Sequence, residues 1–217
     1  VSSIMEERLP QYQLVKSKSG LTVPLIDEVY LHSMYSPAKE AEGFAKLHAE
    51  TLARKKNVII LGLGFGYHIE EVAKILNQNH EDYRIIVIER NEELFNDFNE
   101  KRKFEDKRIL PILTTDPEYL FLRDDFIEFL LTSPAIIKHD TSFMLNQKFY
   151  TDFLQYKAST SISQLRRFSQ HLDQFVSEAQ ELDPNLEMAD YTAQIKRNKT
   201  FTRQDYLTLA FEELLNL

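Results

Sequence analysis

Apolar positions along the first 160 residues follow two alternating periods. Residues 58–61, Arg84–Glu89, Ile109–Leu113 and Ala135–Lys138 are short runs of Val, Ile, Leu and Ala with few polar breaks. Strands covered on both faces of a parallel sheet have this character. Between them the spacing changes to threes and fours: Ala41, Phe44, Ala45 and Leu47; Ile69, Val72, Ala73 and Leu76; Leu94, Phe95 and Phe98. These are the inward stripes of amphipathic helices. Ser36-Pro37, Asn91 and Asp116-Pro117 stand where helices over 37–53, after 91 and after 117 would be capped. A further helix is expected over 146–158. Ahead of all this, 11–26 predicts a hairpin, with KSKSG as its turn and Gly20 free to take positive φ. A short extended piece is expected at 29–31.

Strand–helix alternation with right-handed crossovers gives an α/β domain. The expected architecture is a Rossmann-like three-layer fold. It has a mostly parallel sheet of core order 3-2-1-4, an N-terminal β-hairpin and a C-terminal helical appendage. The expected divisions are 1–36 for the hairpin region, 37–160 for the Rossmann-like domain and 161–217 for the helical extension. In that extension Leu165, Phe168, Leu172, Phe175, Ala179 and Leu182 form a heptad seam. It either lies over the domain, links it to another, or makes a homodimer through 162–182. Asp183-Pro184 ends it. A last amphipathic helix is expected over 201–217, with Thr202 as its cap.

Composition narrows the partners. The formal net charge of -8 disfavours a nucleic-acid partner, which would meet a basic surface. Without cysteine, thiolate nucleophiles, thiolate metal sites and disulfides are excluded, and a cytoplasmic setting is expected. No apolar run reaches the ~18 residues of a membrane span. The chain begins at Val1, as a processed or excised piece would.

The chemistry concentrates where the strands end. VIILGLGFGYHIEE reads strand, glycine turn, helix, and YRIIVIER places Glu89 at the end of the next strand. Ligands of such sheets bind outside the carboxyl ends, where strand order reverses. Gly62, Gly64 and Gly66 would let a ligand approach the backbone, and the helix start at Tyr67 and His68 would offer N–H groups. Glu89 would accept from a ribose diol and Asp116 from an adenine amine. His32, Ser33, Tyr35 and Glu40 would fold back as a polar rim. His139 and Asp140 would face an acceptor, so these six are the candidate substrate-binding set.

The spacing is G-x-G-x-G, and Tyr67 stands where a dinucleotide fingerprint has its third glycine, which argues against NAD. No Walker lysine and no G-x-S-x-G are present. The set looks like the S-adenosylmethionine pattern of class I methyltransferases, with Ile60 where many have an acid; spermidine synthases share that departure. A turn kept only for packing, with Leu63 and Phe65 filling the pocket, stays open beside it. His32, His68 and His139 could meet only if three loops converge, and no H-E-x-x-H spacing occurs, so no metal is expected.

YLHSMYSPAKEAEGFA and VIILGLGFGYH together resemble the N-terminal Rossmann-like domain of the motility accessory factor family, bacterial glycosyltransferases linked to flagellin modification. The resemblance runs over roughly 11–160. It implies an accessory domain of a flagellin or surface glycosylation-type transferase, binding a nucleotide or nucleotide-sugar at 62–68, with no catalytic residue assigned. The alternatives are an S-adenosylmethionine-dependent methyltransferase-like or aminopropyltransferase-like enzyme, and a structural dimerisation module.

Overall fold

A computed structural model describes residues 11–157 and 187–215, and the expected heptad seam at 165–182 lies outside them. The chain divides into two compact units, 1–157 and 158–217.

The first unit opens with an antiparallel sheet, β1 (Tyr12–Lys16), β2 (Thr22–Ile26) and β3 (Val29–Tyr30), in the order β1-β2-β3. Tyr12 pairs with Ile26 and Lys16 with Thr22, and Gly20 takes φ 84° in the turn. The main sheet holds β4 (Asn57–Leu61), β5 (Arg84–Glu89), β6 (Ile109–Leu113) and β7 (Ala135–Lys138). All its pairings are parallel, in the order β6-β5-β4-β7. Numbered within the sheet, this is the expected 3-2-1-4, with the reversal beside β4. The fold is therefore a three-layer Rossmann-like α/β domain with an N-terminal antiparallel hairpin, and helices follow in the C-terminal region.

Side chains alternate across the sheet, and each face has its own core. Val58, Ile60, Ile85, Val87 and Ile137 face one layer. That layer holds α1 (Pro37–Leu47), α2 (Ala49–Arg54), α3 (Tyr67–Asn79), α4 (Glu92–Lys101), Ile26 of β2 and Leu31 just after β3. Ile59, Leu61, Ile86, Ile88 and Ile112 face the other. A 3₁₀ turn (Pro117–Leu122), α5 (Asp124–Leu131) and α7 (Gln147–Leu154) cover that side with Leu120, Phe126, Phe129, Tyr150 and Phe153. The central strand β4 is buried throughout, which explains its unbroken apolar run.

Several boundaries differ from expectation. The helix over 37–53 breaks at His48, whose φ of -101° and ψ of 3° end α1 before α2 begins. The helix expected after Asp116-Pro117 starts as the 3₁₀ turn and resumes as α5. α6 (Asp140–Leu145) precedes α7 and begins directly after β7.

In the second unit, α8 (Met188–Ile195) and α9 (Arg203–Leu215) are described. The expectation of Thr202 at the start of α9 is met: Asp205 N–H donates to Thr202 Oγ1, and Thr202 N–H donates to Asp205 Oδ2 at 2.8 Å. This reciprocal pairing satisfies two N–H groups at the helix start. Thr192 is fully buried and donates to Glu212 across the pair.

Candidate functional site

The glycine turn follows β4 directly. Gly62, Gly64 and Gly66 take φ of 103°, 53° and 84°, a path that few L residues can follow. Gly62 N–H stays in the sheet on Ile88 O, and Gly66 N–H closes the turn on Leu63 O. Gly66 brings no side-chain cap to α3, and Glu70 is the first helical residue to bond back to it. Tyr67 and His68, in the first turn, are buried.

The space above Gly64 is filled by the protein itself. A Cβ on Gly64 would lie 2.5 Å from His32 Nε2 and 3.2 Å from His68 Cε1. His32 comes from the loop after β3 and is 3% exposed. Phe65 N–H donates to its Nε2 at 2.9 Å, which leaves the proton on Nδ1, where it is donated to Glu40 Oε2 at 3.2 Å. Glu40 also accepts from Ser33 N–H at 2.8 Å. Burial works to raise the Glu40 pKa, but the bonds from His32 and Ser33 hold it below its ordinary value. The two distant sequence motifs thus meet as one device: Glu40 aims His32, and His32 holds the glycine turn.

Two further histidines join it. His68 Nε2 lies 3.2 Å from Gly62 O, so that nitrogen carries the hydrogen, and the buried Nδ1 lone pair has no partner among the described residues. His139, at the end of β7, bonds through Nδ1 to Ser142 Oγ at 2.7 Å. The rings of His68 and His139 stack at 4.2 Å, with His32 at 5.6 Å from the first and 5.0 Å from the second. Burial, with the neighbouring imidazoles, drives the His68 pKa far below its usual value, and burial with His32 takes His139 to about 3. Both rings are neutral near neutral pH. Each of the three histidines offers a ring nitrogen, all within 4.8 Å of one another, so the three loops do converge.

Glu89 is 1% exposed, and both of its carboxylate oxygens accept hydrogen bonds. Its Oε2 accepts from Leu63 N–H at 2.9 Å, and its Oε1 accepts from Arg90 and Asn91 N–H at 2.8 and 2.7 Å. Burial raises its pKa against the pull of these donors. Asp116 is exposed and caps the 3₁₀ turn through Glu118 N–H at 2.9 Å. Asp140 is exposed at the start of α6. Tyr35 is 69% exposed and lies under Lys18 Nζ. Ser142 joins the site without being among the expected residues, and Phe44, expected only as part of the apolar stripe of α1, also reaches it. Ser142 stands three residues after His139 and bonds it, a spacing visible in the sequence. Phe44 sets its ring edge-on to His68 at 5.1 Å. Among the described residues, surface clefts lie elsewhere, one beside Arg102, Phe104 and Ile109 and another between α1, α2 and α3.

No protein-family model and no curated protein matches the chain. Among solved structures it is similar to MNMC2 from Aquifex aeolicus, at 14% identity and TM-score 0.37, over 55% of this chain and 48% of that one. It is also similar to spermidine synthase from Thermotoga maritima, at 19% identity and TM-score 0.41, over 52% and 40%. A spermidine synthase in complex with the transition state analogue AdoDATO gives 13% identity and TM-score 0.43, over 65% and 60%. The matched stretch spans less than two thirds of each of these proteins. The expected kinship with motility accessory factors is corrected by these results. No family model supports it, and similar structures include MNMC2 and spermidine synthases. The flagellin-glycosylation role falls with it. Among the described residues no helix is long and apolar enough to cross a membrane.

Proposed function

We propose that this chain is a self-filled Rossmann-like module, a scaffold whose nucleoside cradle is occupied by its own His32. The placement of the His32 ring over Gly64 carries the reading. A ligand needs the close backbone approach that a turn glycine allows, and here an imidazole already has it. Glu89 supports the same reading, since its two oxygens serve three backbone N–H groups. The filled cradle welds the segment after the hairpin to the sheet end, which suits a domain that holds neighbours in place.

A second reading is favoured by one observation. The glycine turn feeds a 13-residue helix whose first turn is buried and has no side-chain cap. Such a start attracts an anionic or nucleoside ligand. In that reading the ligand is S-adenosylmethionine or a related adenosyl compound, and His32 swings out to admit it.

Calorimetric titration of the whole chain with S-adenosylmethionine and S-adenosylhomocysteine separates the two. The self-filled module gives no binding heat. Saturable binding at micromolar affinity by the unmodified chain would overturn it in favour of the adenosyl-ligand reading.

A further inference from the structure

We propose that His32, His68 and His139 form a binding site for a transition metal ion of the Zn²⁺ type. This deepens the self-filled reading by naming what the filled cradle holds, and it rests on the same placement of His32. Three imidazoles brought together from a loop, a helix start and a strand end are a donor set that suits zinc, cobalt and nickel.

The outer bonds have the form that metal-bound histidines require. A ligating imidazole uses its second nitrogen to bond a carboxylate, a carbonyl or another polar group, which fixes ring and tautomer. Here Glu40 holds His32 Nδ1, the Gly62 carbonyl holds His68 Nε2, and Ser142 holds His139 Nδ1. The nitrogens left for the ion are His32 Nε2, His68 Nδ1 and His139 Nε2. His68 Nδ1 is the independent pointer to a ligand. It is a buried lone pair with no partner among the described residues, on a residue 1% exposed, and such atoms are rare without a reason.

The rings must move modestly. A tetrahedral ion with bonds of ~2.0–2.1 Å sets its nitrogens about 3.4 Å apart, whereas one ring nitrogen from each histidine now lies within 4.8 Å of the others. Rotation about the broad imidazole torsion brings them in. His32 Nε2 exchanges the Phe65 N–H bond for the ion, and the stack of His68 on His139 opens. The site is built of three protein donors, which leaves a fourth position for water or another small donor.

The test uses the chelator-treated 217-residue chain, titrated with Co²⁺ by visible absorption and then competed with Zn²⁺. The expected result is one equivalent of Co²⁺ with the intense bands of a tetrahedral site, displaced by Zn²⁺, and an unfolding temperature raised by Zn²⁺. His139→Gln should abolish the bands. Glu40→Gln is the gentler variant, because Glu40 is 41% exposed in its side chain and glutamine can still accept from Ser33 N–H. It should weaken Zn²⁺ binding by about 10–100-fold. Absence of both the bands and the temperature shift would overturn the site. So would unchanged binding in both variants, which would place the ion on other histidines. Neither result depends on the adenosyl titration, so each proposal can fail alone.

Discussion

Glu89 shows how far a single residue can be read from its place in the chain. Its position at the end of β5 is plain from the pattern, and position alone suggests a ribose acceptor. The structure gives it three backbone donors: Leu63 from the glycine turn, and Arg90 and Asn91 from the start of the next loop. The positive φ values after Leu61 set the path of that turn, and no spacing rule predicts which N–H groups it delivers. Glu89→Gln tests the role. An amide has one acceptor oxygen and would set its NH₂ against a backbone donor, leaving at least one buried N–H unpaired. The variant should lose about 1–3 kcal/mol of stability, read from urea midpoints. A midpoint equal to the parent's would remove Glu89 from this structural role. His68 makes the complementary point: its place beside the last glycine is legible, but its meeting with His32 and His139 depends on three separate chain segments.

At the scale of elements the sheet strands and their helices were legible because burial on both faces leaves an unmistakable apolar record. The break at His48 and the 3₁₀ start before α5 were not, because both keep the apolar spacing while changing the backbone. Ties between elements are also hidden, and Tyr83 is one. It stands just before β5, is 3% exposed, and donates to Asp106 at 2.6 Å ahead of β6. Arg108 grips Asp106 and lies over the Tyr83 ring at 3.9 Å. Burial, then Asp106, push the Tyr83 pKa from 10.0 up to about 12. The folded protein therefore holds this proton more tightly than the unfolded chain. The stability it contributes is complete below pH 10 and is lost as pH rises from 10 towards 12. Tyr83→Phe lacks the titrating group and should lose less stability across that window. Urea midpoints of both proteins at about pH 8 and about pH 11 give the comparison. Equal losses in parent and variant would place the alkaline sensitivity elsewhere.

At the scale of the first unit, two sheets that share no strand pairing are joined through side chains. The hairpin sheet buries Val23 and Ile26. Tyr67 Oη donates to Thr22 O at 2.9 Å, Tyr12 Oη donates to Asp97 at 2.8 Å, and Phe65 N–H donates to His32 just beyond β3. A substructure held this way can open without the rest, as a cooperative unit of lower stability. His32 is the junction that also organises the glycine turn, so His32→Ala should act on the hairpin first. Removing its acceptor leaves the buried Phe65 N–H unpaired, at a cost of about 1–3 kcal/mol. Paired amides of β1 and β2 should then exchange with solvent about tenfold faster or more, while those of β4 and β5 change far less. Peptide-resolved hydrogen exchange reads both regions in one experiment. If β4 and β5 accelerate as much as β1 and β2, the hairpin is not a separable unit, and His32 serves the stability of the whole sheet.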